Sequence, residues 1–100
     1  MHTLVIIPAF NEARAIGRVI GDIPNTLVDE VVVVNNASTD ETERNARAAG
    51  ATVLTEPRQG YGYACLRGIE YAKTKQPDVI VFLDGDYSDP PDEMPRLVAP

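Results

Sequence analysis

Two carboxylates one residue apart, Asp84 and Asp86, frame a glycine in the triplet Asp84-Gly85-Asp86. Oxygen ligands at this spacing suit a hard divalent cation that also holds phosphate oxygens, and Gly85 permits a close backbone approach. The triplet follows the run Val79-Ile80-Val81-Phe82-Leu83, which is β-branched and aromatic and reads as a buried strand. Carboxylates at a strand exit stand where open α/β sheets bind their ligands. An acidic turn ahead of a helix is the plainer reading, and the rest of the chain has to decide between the two.

The elements that must position this pair alternate between strand and helix. Leu4-Val5-Ile6-Ile7 reads as a first strand ended by Pro8. Apolar residues then recur at Ala13, Ile16, Val19, Ile20 and Ile23, a helical spacing that stops at Pro24. Val31-Val32-Val33-Val34 is β-branched throughout, as a strand buried on both faces should be. Ser38-Thr39-Asp40-Glu41 has the form of a capping box for the next helix, which ends at Gly50. Thr52-Val53-Leu54-Thr55 predicts a short third strand, and Glu56 to Gly60 a loop. A helix is expected from Tyr63 to about Lys75, with Ala64, Ile69 and Ala72 inward, before the strand Val79–Leu83. Asp92 is expected to cap a last helix running through Met94, Leu97 and Val98, with Pro95 in its first turn. Four strands separated by helices predict a parallel α/β sheet with right-handed crossovers.

Composition narrows the partners. One hundred residues make one domain at most, and a 44% apolar share is enough for a core. A net charge of −6 argues against nucleic acid or an anionic membrane as partner and suits cation binding. The single cysteine, Cys65, cannot form an internal disulfide and points to a reducing, cytoplasmic compartment, with a small buried hydrophobe as its role. No apolar run reaches the length of a membrane span, and the first residues do not have the form of a signal peptide. The pattern stops as its last helix begins, so the chain reads as the first half of something longer.

Known phosphate-binding loops do not fit. There is no G-x-x-x-x-G-K-[ST] segment, and Gly60-Tyr61-Gly62 follows the third strand and has Cys65 where a dinucleotide fingerprint needs its third glycine. What remains is a set of polar strand exits. Asn11 and Glu12 follow the first strand, Asn35 and Asn36 the second, Arg58 with Gly60 and Gly62 the third, Asp84 and Asp86 the fourth. In a parallel sheet all four exits lie on one edge.

Four segments, Ile6-Ile7-Pro8-Ala9-Phe10-Asn11-Glu12, Ala37-Ser38-Thr39-Asp40-Glu41-Thr42, Arg58-Gln59-Gly60-Tyr61-Gly62 and Phe82-Leu83-Asp84-Gly85-Asp86, together resemble the nucleotide-sugar-binding half of glycosyltransferase family 2. The resemblance runs from about Leu4 to Asp89 and is nearest the dolichyl-phosphate-mannose-synthase-like group. It implies the Rossmann-like GT-A fold with strand order 3-2-1-4, and glycosyl transfer from a UDP- or GDP-linked sugar with Mg²⁺ or Mn²⁺. By the same resemblance Pro8, Ala9 and Phe10 line the base and ribose and Glu12 hydrogen-bonds the nucleoside. Arg58 is a loop cation near the diphosphate, Gly60 and Gly62 let backbone approach the donor, Asp84 contacts ribose or sugar, and Asp86, with Asp84, is the metal site. Ser88 and Asp89 are placed to hold metal-bound water, with capping of the last helix the preferred role for Asp89.

Three departures from the family pattern stand out. Asn35-Asn36 replace the usual Asp after the second strand, so the base edge would meet an amide that donates as well as accepts. Tyr61 stands where Lys or Arg often lies between the loop glycines. The acceptor site, a sugar or lipid phosphate by resemblance, and the catalytic base fall beyond the Asp-x-Asp segment, as does the membrane association of some family members. Two other readings stay open: a haloacid-dehalogenase-type phosphatase, whose Asp-x-Asp-x-Thr motif Asp84-Gly85-Asp86-Tyr87-Ser88 also resembles, and a non-catalytic interaction module whose exposed sheet edge favours self-association.

Overall fold

The computed structural model describes residues 2–24 and 26–85, and the backbone of 96–98. Its elements run β1 (Thr3–Ala9), α1 (Ile16–Gly21), β2 (Glu30–Asn35), α2 (Thr42–Ala48), β3 (Thr52–Thr55), α3 (Tyr61–Lys75), β4 (Val79–Phe82) and β5 (Arg96–Val98). The sheet order is β3-β2-β1-β4-β5. The first four strands are parallel, as the sequence pattern and the 3-2-1-4 order require.

The uninterrupted apolar runs have a simple cause. Successive side chains of a strand point to opposite faces, and here both faces are covered. Val5, Ile7 and Ala9 of β1 pack with Val33, Val79 and Val81 against Ile16, Val19 and Ile20 of α1 and Ala46 of α2. Leu4 and Ile6 turn the other way, with Val32 and Val34, onto Ala64 and Ala72 of α3. All seven residues of β1 are buried.

Helix α3 lies close to β1 because Gly68 faces it. A Cβ built at Gly68 would stand 2.5 Å from Ile6 Cγ2. The inward stripe of α3 is therefore Ala64, Gly68 and Ala72, while the expected Ile69 is only partly buried. At the other end of α3 the Tyr71 hydroxyl donates to Glu30 Oε2 at 2.6 Å, and Thr52 Oγ1 donates to the same oxygen at 3.0 Å. One carboxylate thus joins α3, β2 and β3.

Three local expectations are corrected. α3 begins at Tyr61, two residues ahead of the expected start. The capping box does not form: α2 has Glu41 at its N-cap with no side-chain bond, Ser38 Oγ instead accepts the Asn11 N–H, and Asp40 Oδ1 accepts the Thr42 N–H. Asp40 wins because its carboxylate is two residues from a first-turn N–H while Ser38 is drawn to the neighbouring loop. The last helix is also overturned at Leu97 and Val98, which form β5 antiparallel to β4. The outer edge of β4 offers ladder partners over Val79–Val81, and that pairing outweighs a weak helical period in a stretch that holds Pro95. Asp92, Met94 and Pro95 lie outside the described residues.

Gly68→Ala should overpack the α3–β1 contact and destabilise the chain by about 1–3 kcal/mol. Urea denaturation monitored by circular dichroism checks this, and an unchanged midpoint would contradict the packing account.

Candidate functional site

The carboxyl ends of β1 and β4 lie side by side, since Thr3–Ile6 pairs with Val79–Phe82 and the Leu83 N–H donates onward to Ile6 O at 3.1 Å. β2 flanks β1 on its other side. A cleft of about 380 Å³ opens at this edge. Pro8, Ala9, Phe10 and Glu12 form one wall, Asp84 and Gly85 the adjoining one, and Asn36, Gln59, Gly60, Tyr61 and Ala64 the far side. Gly85 faces the β1 exit: a Cβ on it would come within ordinary contact of Ala9 Cβ and Glu12 Cγ, each at 3.4 Å. The β1 and β4 exits thus line one cleft side by side, as expected at a topological switch point.

Short side chains brace the loops that form these walls. Asn11 adopts a left-handed conformation, φ 52°, which asparagine tolerates. Its N–H donates to Ser38 Oγ at 3.0 Å, and its Oδ1 accepts the Thr39 N–H at 2.8 Å. The Thr42 hydroxyl, fully buried, donates to Asp40 Oδ1 and accepts the Glu12 N–H at 2.8 Å. Asp40 Oδ2 also accepts the Ala13 N–H at 3.3 Å. The bond from Thr42, followed by the backbone donors, holds the Asp40 carboxyl below the usual carboxylate range. The sequence segment Ser38–Thr42 thus serves to fix the backbone of Asn11, Glu12 and Ala13, and it does so across nearly thirty residues of chain.

The loop between β3 and α3 is held by two buried polar groups. Asn36, 4% exposed, donates through Nδ2 to Glu56 O at 3.0 Å and Arg58 O at 2.8 Å, and accepts the Gly60 N–H at Oδ1 at 2.9 Å. Glu56, 3% exposed, accepts from Arg58 three times: N–H at 2.9 Å and Nε at 3.0 Å on Oε2, and Nη2 at 3.0 Å on Oε1. The side-chain fork from Arg58, then its N–H, lower the Glu56 pKa from 4.5 to about 2. The Arg58 guanidinium also lies 4.6 Å from the centre of the Tyr63 ring. Gly60 closes the loop at φ 144°, where an L side chain is strained.

Of the residues singled out from the sequence, Pro8, Ala9, Phe10, Glu12, Asn36, Gly60 and Asp84 come together around the cleft. Asn35 does not line it: its Oδ1 accepts the Ser38 N–H at 3.3 Å and its Nδ2 reaches Glu43 at 3.5 Å, bracing the turn into α2. Arg58 does not line the cleft: its side chain, more than half exposed, pairs with Glu56 and lies over Tyr63, and Gly62 lies in the exposed first turn of α3. Asp86, Ser88 and Asp89 lie outside the described residues. Cys65 is partly buried, and burial pushes its thiol pKa up, which suits a packing role. Sequence reasoning passed over Gln59 and Ala64 as cleft residues and Glu56 as the partner of Arg58. Only Glu56 had a visible signal, an acid two residues from a loop arginine.

The arrangement suits a phosphorylated ligand with a cation. The N-terminus of the fifteen-residue α3 opens on the cleft through Gly60 and Tyr61, and the first N–H groups of a helix favour anions. Among the described residues no group of three or more His, Cys, Asp or Glu could hold a metal by itself. Mg²⁺ needs only one or two carboxylates when phosphate oxygens and water complete its shell, so Asp84 at the cleft fits that use.

Comparison with known proteins agrees. The model of glycosyl transferase family 2 matches residues 4–100. The chain is similar to glucosyl-3-phosphoglycerate synthase of Mycolicibacterium smegmatis, 39% identical over 108 residues, covering 96% of this chain and 35% of that protein. It is also similar to 4,4'-diaponeurosporenoate glycosyltransferase of Staphylococcus aureus, 40% identical over 89 residues, covering 82% of this chain and 23% of that protein. Among solved structures, glucosyl-3-phosphoglycerate synthase of Mycobacterium tuberculosis superposes with a TM-score of 0.74 at 35% identity, over 85% of this chain and 34% of that one. The same enzyme in complex with Mn²⁺, UDP and glucosyl-3-phosphoglycerate gives 0.73 at 35% identity, over 84% and 33%. The chain therefore spans about a third or less of the length of these curated relatives. Placement in the dolichyl-phosphate-mannose-synthase-like group does not follow from them.

The Glu56 pair predicts a pH effect with a defined sign. Its folded-state pKa of about 2 lies below its ordinary 4.5, so its contribution is fully present above about pH 4.5 and is lost as pH falls towards 2. Wild type should melt above Glu56→Gln at neutral pH, and the gap should close through that window. A gap that stays constant down to pH 2 would remove the Glu56–Arg58 pair from the account.

Proposed function

The chain belongs to glycosyl transferase family 2, and we propose on that premise that it forms a single donor domain that binds a nucleoside-diphosphate sugar with Mg²⁺ or Mn²⁺. One observation carries this reading: Glu12 and Asp84 share a cleft with the N-terminus of α3, at the point where the sheet order reverses between β1 and β4. A uridine nucleotide is the first choice of donor, because solved relatives hold UDP together with Mn²⁺ or Mg²⁺. GDP is the alternative.

The residues divide the work by position. Pro8, Ala9 and Phe10 offer an apolar ledge with backbone polar groups for the base and ribose, and Phe10 is exposed on it. Glu12, whose N–H is held by Thr42, is placed to accept from hydroxyls of the nucleoside. Gly60, whose own N–H is held by Asn36, lets the backbone approach the donor, and the first turn of α3 that follows it brings N–H donors to the diphosphate. Asp84, with Asp86 following it in sequence, supplies oxygen ligands for the cation. When bound, that cation would neutralise the charge of the diphosphate leaving group by Lewis-acid chemistry. The acceptor and the catalytic base are assigned to no residue of this chain. Arrival of donor sugar at an acceptor, with inversion at the anomeric carbon, is the expected reaction of the parent enzyme. No helix among the described residues is long and apolar enough to cross a membrane. A cytoplasmic location is part of the proposal, and its support is the single cysteine.

Calorimetric titration of UDP and GDP, with and without Mn²⁺, tests the reading. Metal-dependent binding of one nucleotide is expected, and Asp84→Asn or Asp86→Ala should weaken it roughly tenfold or more while leaving the fold intact. A folded chain that binds neither nucleotide would overturn the donor reading in favour of an interaction module.

A further inference from the structure

The sequence presents Arg58 as a loop cation for a phosphate, yet every described contact of its side chain serves the protein. One edge of the guanidinium, Nε and Nη2, faces Glu56 and its flat face covers Tyr63, while the side chain as a whole stays more than half exposed. Tyr63 in turn closes on Gly60, where a Cβ would stand 3.3 Å from the Tyr63 ring. Gly60 begins the cleft-facing turn, and its N–H is taken by Asn36. The four residues Asn36, Glu56, Arg58 and Tyr63 thus converge on the loop that carries Gln59, Gly60 and Tyr61 into the cleft.

The chemistry of Asn36 is specific to this task. Two carbonyl oxygens, of Glu56 and Arg58, face its Nδ2, and one N–H, of Gly60, faces its Oδ1. Only an amide meets two acceptors and one donor from a single side chain of this length. An aspartate at the same place would set a carboxylate against two carbonyl oxygens in a buried position, a costly arrangement. Asn36 has both N–H donors committed, so it has none left for a base edge.

We propose that Asn36 and Glu56 are positioning residues that latch the β3–α3 loop into its nucleotide-binding shape, and that Arg58 belongs to this latch instead of contacting the donor's phosphates. The inference rests on the donor-cleft reading above. The latch acts before the ligand arrives: it orders the loop in the empty cleft, so binding need not pay for that ordering. Its parts act as one unit, because Glu56 engages both the backbone and the side chain of Arg58 while Asn36 holds the carbonyls at either end of the same three-residue stretch.

A double-mutant cycle on nucleotide affinity tests this. UDP with Mn²⁺ is titrated into wild type, Glu56→Gln, Arg58→Ala and the double variant, each first shown to be folded by circular dichroism, at two salt concentrations. If the latch is correct, each single variant weakens binding by roughly threefold to thirtyfold and the double is no weaker than the worse single, as coupled residues in one network behave. The salt dependence of binding stays that of wild type in Arg58→Ala, since no phosphate contact is lost. Asn36→Asp, if it folds, weakens binding at least as much. Three outcomes overturn the inference: single effects that add, a flatter salt dependence in Arg58→Ala alone, or variants that bind like wild type. A silent wild type is a different failure, because it removes the donor reading itself and the latch's role in binding with it.

Discussion

β1 is hydrogen-bonded along both edges, to β2 from Leu4 to Ala9 and to β4 from Thr3 to Ile6. Everything at the cleft depends on that double pairing. A strand with neighbours on both sides and helices on both faces has no freedom to shift, since a slip of one residue would turn Val5 and Ile7 onto the α3 face and Leu4 and Ile6 onto the other. The exit of β1 is therefore held in place, and with it Pro8, Ala9 and Glu12. The exit of β4 is fixed beside it by the same ladder. Sequence separation of some seventy residues between Glu12 and Asp84 disappears in one sheet spacing.

The loops need a second kind of constraint, because ladder bonds end where the strands end. Here polar side chains extend the order beyond the sheet. Asn11, Asp40 and Thr42 tie the first exit to the second, and Asn36 ties the second to the third. The arrangement costs little in desolvation because each buried polar group has its partners: among the described residues no buried side-chain nitrogen or oxygen lacks one. Glu56 is the extreme case. A nearly buried carboxylate would be unfavourable alone, and the bidentate arginine makes it an ordering element. Short-range propensity plays a small part in these loops, where Ala37 holds a left-handed conformation, φ 62°, that alanine does not favour. That strain sits between Asn36 and Ser38, both of which are held by hydrogen bonds.

The fold and the family share one explanation. A sheet of order 3-2-1-4 has its topological switch between β1 and β4, and the cleft with its acidic residues lies at that switch. The likeness to solved glucosyl-3-phosphoglycerate synthases extends over 84–85% of this chain. β5 adds a strand that runs against the others and occupies the outer edge of β4. That edge would otherwise present unpaired backbone groups.

The first four strands, their parallel direction and the convergence of their exits were legible in the sequence, because burial on both faces leaves unbroken β-branched runs such as Val31–Val34 and each run ends in a polar turn. Glu12 and Asp84 could be named for the same reason, since a residue next to a strand end inherits its location from the sheet, whereas Pro8, Ala9 and Phe10 were named only through the family resemblance. The roles of Asn36, Glu56 and Arg58 could not be read that way. Whether an arginine in a loop faces a ligand or a neighbour depends on which acceptor lies within hydrogen-bond reach, and Glu56 gains that position only when β3 pairs with β2. The same holds for Ser38 and Asp40, which have a capping pattern in sequence but find their partners on the β1 exit. The helix expected around Leu97 gave way for a related reason, since an unpaired edge is a property of the assembled sheet and not of the residues that come to fill it. Periodicity and turn chemistry are local and survive in the sequence, whereas the choice of hydrogen-bond partner is made in three dimensions.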